Sequence, residues 1–219
     1  MNAPVGIFGG TFDPIHYGHL RLAQEALEQC RLSAVRFIPS GTPPHRAAPL
    51  AAAEHRVAMA RLALQSNPAF VLDEREAGRT DPCYSVDTFA QLRSELGADT
   101  PLCLLIGSDA FLQLHTWHEW RRLFELAHIV VIQRPGKPLG NAIATADAGL
   151  REQYQQRLAP APAALHEAAQ GRIVALNMPL LDISSTDIRN RSAKGKSLNY
   201  LLPEAVNQYI RTQKLYTSC

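Results

Sequence analysis

Two histidines, His16 and His19, stand three residues apart behind a pair of glycines, Gly9 and Gly10. On the first turn of a helix that spacing puts both imidazoles on one face. Imidazoles so placed donate hydrogen bonds to phosphate oxygens and meet charge that develops on them. Ahead of them, Val5 to Phe8 is a short apolar run that predicts a buried strand. Gly9-Gly10 lets the backbone turn sharply and approach a ligand, and Thr11, Asp13 and Pro14 have turn or helix-start chemistry. Leu20, Ala23, Leu27 and Cys30 then recur at helical spacing. Strand, glycine turn and helix N-terminus together make an anion site, because open N–H groups and the positive end of the helix dipole converge there. Gly18 leaves room for a ligand to lie against the backbone. Other readings stand beside this one. Each histidine taken singly is an ordinary surface or core residue. A zinc pair needs three or four ligands, and no Cys or Asp/Glu–His pattern with metal spacing lies nearby. Both common phosphate loops are missing: there is no G-x-G-x-x-G, and Gly195-Lys196-Ser197 has Asn190 where a Walker loop needs glycine.

A second constellation is Ile183-Ser184-Ser185-Thr186-Asp187-Ile188-Arg189. Ser184 with Asp187 fits a capping box, so a helix should start here, with hydroxyls, open N–H groups and Arg189 converging on an anion. A well-capped helix with a solvated arginine is the equal alternative. Pro43-Pro44-His45-Arg46 reads by itself as a solvated basic loop, and Tyr84-Ser85-Val86-Asp87-Thr88 as a plain helix cap. Gly107-Ser108-Asp109 follows an apolar run, at a strand end where ligands sit in α/β sheets. In Leu114-His115-Thr116-Trp117-His118-Glu119-Trp120, Trp120 reads as core and the two histidines as surface.

The elements that must position these residues alternate. Strands are expected at Val5–Phe8, Ala34–Ile38, Phe70–Asp73, Leu102–Ile106, Ile129–Ile132 and Arg172–Leu176, and helices at about 17–30, 52–66, 85–96 and 118–126. Val86, Phe89, Leu92 and Leu96 form the apolar stripe of the third helix. The alternation predicts an α/β fold with a doubly wound, mostly parallel sheet of five to six strands and helices on both faces. The stretch 39–49 reads as a loop, 139–170 as helical segments with a break at Pro160 and Pro162, and 203–213 as a final helix with Pro203 in its first turn.

Length and composition set outer bounds. A chain of 219 residues with 46% hydrophobic residues suits a single domain with a substantial core, residues 1–219, ending in a helical segment from about 184. A net charge of +2 argues against a nucleic-acid binder. Cys30, Cys83, Cys103 and Cys219 are far apart and read as reduced thiols of a cytoplasmic protein. No apolar run is long enough to span a membrane, and the N-terminus does not read as a signal peptide.

Gly9-Gly10-Thr11-Phe12-Asp13-Pro14-Ile15-His16-Tyr17-Gly18-His19 resembles the signature of the nucleotidyltransferase superfamily that carries an H-x-G-H motif. Taken whole, the chain most resembles the bacterial nicotinate-nucleotide adenylyltransferases, which have a Rossmann-like fold and join ATP to nicotinate mononucleotide, releasing pyrophosphate. The resemblance implies catalytic roles for His16, His19 and Arg189. It implies ATP contacts for Gly9, Gly10, Thr11, Phe12, Gly107, Asp109, Ser185 and Thr186. It implies mononucleotide contacts for His45, Arg46, Tyr84, Ser85, Trp117 and Arg134, with Trp117 stacking on the nicotinate ring, and Mg²⁺ accompanying ATP. The chain departs from the family pattern in two places: Arg46 stands for the usual Lys after Pro-Pro-His, and Ser85 for the Thr of Y-T-V-D-T. Arginine keeps the charge as a planar fork, and serine keeps the hydroxyl. The competing expectations are an adenylyltransferase for nicotinamide mononucleotide or phosphopantetheine, and an inactive nucleotide-binding protein on the same fold.

Overall fold

The computed structural model describes residues 2–41, 48–79, 81–133, 139–178 and 181–217. Its strands are β1 (Val5–Gly10), β2 (Ala34–Pro39), β3 (Phe70–Leu72), β4 (Leu102–Gly107), β5 (His128–Gln133) and β6 (Ile173–Asn177). Its helices are α1 (Tyr17–Gln29), α2 (Ala53–Leu64), α3 (Ser85–Leu96), α4 (Ser108–Leu112), α5 (Leu123–Leu126), α6 (Leu139–Ile143), α7 (Ala148–Arg157), α8 (Ser185–Ala193) and α9 (Glu204–Thr212). The strands form a six-stranded sheet of order β3-β2-β1-β4-β5-β6, the doubly wound Rossmann-like order. The pairs β1–β4, β4–β5 and β5–β6 run parallel, with Ile7 beside Leu104, Leu105 beside Val130 and Val131 beside Ala175. No helix among the described residues is long and apolar enough to cross a membrane.

The chain divides into two compact units, one of Met1–Phe8, Ala23–Val35 and Tyr84–Leu180, the other of Gly9–Leu22, Arg36–Cys83 and Leu181–Cys219. In the first, every residue of β5 and all of β4 but Gly107 are buried, as expected of parallel strands covered on both faces. Val86, Phe89 and Leu92 of α3 are buried in this core, while Leu96 at the helix end is half-buried. Gly6 lets Leu32 close onto β1: a Cβ there would stand 2.8 Å from the Leu32 Cδ1. His128 is fully buried, with its Nε2 2.9 Å from the Ala168 carbonyl and its Nδ1 accepting from the Arg172 amide at 3.0 Å. That pairing leaves it a neutral structural imidazole.

The second unit has its core around Phe12, Phe37 and Phe70, whose rings follow one another at 5.8 and 5.1 Å. Against it lies α2, with Met59, Ala60 and Ala63 buried, and α2 packs on α9.

All six expected strands are present, with ends moved by no more than two residues. The helix expected at 118–126 is different. Glu119 takes a left-handed φ of 45°, so the chain makes a 3₁₀ turn at Trp120–Arg122 and only then the short α5. Pro203 is the residue before α9 and not in its first turn. The stretch 139–170 holds α6, α7 and a 3₁₀ turn at Pro162–His166, so the break falls where the prolines are.

Candidate active site

In the second unit the signature stretch is built as a strand end, a tight loop and a helix start. β1 ends at Gly10, whose carbonyl accepts from the Ser40 amide at 2.8 Å. The ring of Phe12, at φ 48°, covers Gly10: a Cβ there would meet it at 2.9 Å. Around Gly9, by contrast, there is open space. His16 precedes α1 and is buried; its carbonyl accepts from the amides of His19 and Leu20 at 2.9 and 3.2 Å. The His19 Nδ1 accepts in return from the His16 amide at 3.3 Å, the returning half of a capping box, with an imidazole in the place of a glutamate.

The two imidazoles stack, with centroids 3.7 Å apart and planes at 27°, and the Phe12 ring meets His19 edge-on at 5.1 Å. The shared face expected from the spacing is therefore present. Gly18 serves a purpose other than the one expected. A Cβ on it would stand 2.9 Å from the His16 Nδ1, so the space beside its backbone is filled by His16. Nor are all the α1 amides open: Tyr17 donates to the Leu201 carbonyl at 3.0 Å and His19 to His16.

Burial pushes the His16 pKa down to about 4. Burial also holds His19 well below the ordinary imidazole value, and repulsion from His16 adds to it. Both rings are therefore neutral at pH 7, and because the His19 Nδ1 is an acceptor, the proton of that ring sits on Nε2. The pH dependence of stability follows. Between pH 6.5 and about 4 the unfolded chain binds a proton that folded His16 refuses. Stability is whole above 6.5 and falls as pH drops through this window, by ~3 kcal/mol for His16 alone. Urea unfolding at stepped pH should show this acid limb, and His16→Gln should flatten it. An equally steep limb in the variant would contradict the buried neutral ring.

The expected cap at the second constellation is present: the Ser184 hydroxyl accepts from the Asp187 amide at 3.1 Å at the start of α8. Ser185 donates to the Pro14 carbonyl at 2.9 Å. Arg189 donates through one nitrogen to the Asp13 carbonyl at 2.7 Å and through the other to the Thr186 hydroxyl at 3.3 Å. So Ser185, Thr186 and Arg189 do come together with the signature loop.

Three residues of this unit carry weight that sequence reasoning missed. Asp13, read there as a turn residue, is buried and accepts from the Leu50 and Ala51 amides at 2.8 and 3.2 Å and from the Tyr216 hydroxyl at 2.7 Å. Arg56, buried on α2, donates to the carbonyls of Thr11 and Ser40, both at 2.8 Å, and so holds the signature loop from beneath. Its signal was available: Arg56 shares a helical stripe with Ala60 and Ala63, a charge on an apolar face. Tyr216 has no local sequence signal.

In the first unit, β4 ends at Gly107 and α4 begins at Ser108, which places Asp109 exposed in the first turn at a strand end, as expected. Tyr84 is the residue before α3, so Ser85 is the first helical residue and not its cap. The Tyr84 side chain makes no cap bond, whereas Asp147 caps α7 and Ser184 caps α8. Trp117 lies half-buried between two 3₁₀ turns, and Trp120 is core. His118, exposed, packs on the Tyr84 ring at 4.4 Å, which brings the start of α3 and the Trp117 loop together. His45, Arg46 and Arg134 lie outside the described residues.

A doubly wound sheet with a histidine pair at a glycine turn is the arrangement that the resemblance to the nucleotidyltransferases implies, and comparison with known proteins shows that class. The family described as cytidylyltransferase-like matches residues 7–191. A probable nicotinate-nucleotide adenylyltransferase of Dechloromonas aromatica is 45% identical over 216 residues, 99% of each chain. Another, from Halorhodospira halophila, is 48% identical over 208 residues, 94% of this chain and 92% of that one. The solved structure of Plasmodium falciparum nicotinic acid mononucleotide adenylyltransferase complexed with NaAD superposes with a TM-score of 0.72 at 17% identity, covering 98% of both chains, and bears on the fold. The chain belongs to the cytidylyltransferase-like family and, within it, to the nicotinate-nucleotide adenylyltransferases.

Proposed function

We propose that the chain transfers the adenylyl group of ATP to nicotinate mononucleotide, giving deamido-NAD and pyrophosphate, in cytoplasmic NAD biosynthesis. It does so as one nucleotidyltransferase domain with a helical segment from about 184; the family match over 7–191 supports this. The observation that carries the reading is the stacked, neutral His16–His19 pair, with a proton fixed on the His19 Nε2. A preorganised neutral donor suits a phosphate whose charge grows in the transition state.

His16 and His19 hold the α- and β-phosphates. Ser185, Thr186 and Arg189 hold the β/γ end; Arg189 is already oriented by its bonds to Asp13 and Thr186. Gly9, Gly10, Thr11 and Phe12 form the floor, and the open space at Gly9 supports this. Gly107 and Asp109 take the ribose side of ATP. Tyr84, Ser85 and Trp117 take the nicotinate end of the mononucleotide, and His45, Arg46 and Arg134 its remaining polar groups. The 5′-phosphate of the mononucleotide attacks the α-phosphorus in line and pyrophosphate leaves, so the protein supplies alignment and charge neutralisation without a nucleophile of its own. Mg²⁺ accompanying ATP would add charge neutralisation at the phosphates to that supplied by Arg189 and the histidine pair.

A pyrophosphate-release assay with ATP and a panel of acceptors tests the reading. Release with nicotinate mononucleotide is expected. Release only with nicotinamide mononucleotide or phosphopantetheine would move the chain to a sister activity, and no release with any acceptor would make it a nucleotide-binding protein.

A further inference from the structure

The chain turns back after α9 through two left-handed residues, Lys214 at φ 50° and Tyr216 at φ 59°. For residues other than glycine this conformation is unfavourable and persists only where surrounding contacts over-determine it. The contacts are visible. The Leu215 amide donates to the Ile210 carbonyl at 3.0 Å, and the Ser192 hydroxyl reaches the Leu215 carbonyl at 3.4 Å. The turn delivers the Tyr216 hydroxyl to the carboxylate of Asp13, 2.7 Å away.

Asp13 sits inside the signature loop, between the glycine turn and the histidine pair. Its carboxylate gathers Leu50, Ala51 and Tyr216, while its main-chain carbonyl is the acceptor that orients Arg189. We infer that Tyr216 is a positioning residue of the active site: by donating to Asp13 it fixes the peptide on which Arg189 and the His16–His19 pair depend. Burial, the Asp13 bond and the Asp13 charge all raise the phenol pKa, so the hydroxyl keeps its proton and remains a donor throughout the working pH range. Arg56 holds the other side of the same loop at Thr11, so the segment is tied from two directions. Loss of either tie leaves the loop in place but loosens its register, and misplacement on the ångström scale is enough to slow an in-line transfer.

The inference rests on the adenylyl-transfer reading for its kinetic arm and is independent of it in its structural arm. Tyr216→Phe removes the hydroxyl and keeps the ring. At a temperature well below unfolding, its kcat should fall about tenfold, the scale of one hydrogen bond to a charged group. The KM for nicotinate mononucleotide should stay unchanged. Tyr209→Phe is the control: it also loses a hydroxyl contact, to His55 at 2.9 Å, but one outside the signature loop, so it should keep wild-type kcat. In the unliganded protein, hydrogen exchange over residues 10–20 should be faster in Tyr216→Phe and unchanged in Tyr209→Phe. Should wild type release no pyrophosphate, the functional reading fails while the exchange comparison still decides whether Tyr216 holds the loop. Wild-type kcat in Tyr216→Phe, whatever its melting temperature, would reduce Tyr216 to an anchor for its own segment and overturn the inference.

Discussion

His19→Ala should lower kcat by about a hundredfold or more, the size seen when one preorganised donor is removed from a developing oxyanion. The ring is fixed on three sides: its Nδ1 by the His16 amide, one face by the His16 ring at 3.7 Å, and an edge contact with Phe12. A donor so fixed needs no reorganisation when charge moves from the α/β bridge onto the leaving pyrophosphate. Water filling the alanine cavity would have to orient anew in each turnover. The KM for ATP should change less than kcat, because the interaction strengthens only as the bond breaks. Alanine also strands the His16 amide, so some loss of stability is expected, and turnover must be measured where the variant is fully folded. Near wild-type kcat under those conditions would end the assignment of His19 to the transition state.

How much of this site was legible beforehand depended on whether the signal was local. The strands were readable because parallel strands buried on both faces are continuous apolar runs, and Leu102 to Ile106 is one. The Ser184 cap was readable because a cap and its amide partner are three residues apart. The Glu119 left-handed turn was not, since nothing in a charged residue announces a positive φ, and the apolar spacing alone continues a helix through it. Gly18 was read as space for a ligand, but the neighbour that needs the space is a side chain two residues back, His16. The same limit hid Asp13: its partners at Leu50, Ala51, Arg189 and Tyr216 lie far along the chain, and only the fold brings them to one aspartate, three at its carboxylate and Arg189 at its main-chain carbonyl.

The enzyme should prefer nicotinate mononucleotide over its amide by several orders of magnitude in kcat/KM. The two acceptors differ in one group, a carboxylate against a carboxamide. Stacking on Trp117, in the proposed binding mode, would hold either ring equally, so the discrimination must come from what meets the substituent. The start of α3 offers that partner. The Asp87 and Thr88 amides already donate to the Tyr84 carbonyl, at 3.1 and 3.2 Å, and the Tyr84 side chain makes no cap bond, so the Ser85 and Val86 amides are the ones a ligand would meet. In α7 and α8 that place is taken by Asp147 and Ser184, whereas α2, α4, α5 and α9 share the uncapped start of α3. A carboxylate from the ligand would complete the α3 terminus, accepting from the Ser85 and Val86 amides and meeting the positive end of the dipole. The Tyr84–His118 contact holds that terminus beside the loop that carries Trp117, so ring and substituent can be read together. An amide NH₂ in the same place would face donors, and each unmade bond in a buried site costs about 1–3 kcal/mol, more where charge is lost. Mismatch of this kind discriminates by about 10⁴ or more. Trp117→Ala should then weaken both acceptors and leave most of their ratio intact. Steady-state kinetics with the two mononucleotides at fixed ATP would check both statements. Comparable kcat/KM for acid and amide in the wild type would show that the α3 terminus does not read the substituent, and the chain would be a broad pyridine-nucleotide adenylyltransferase.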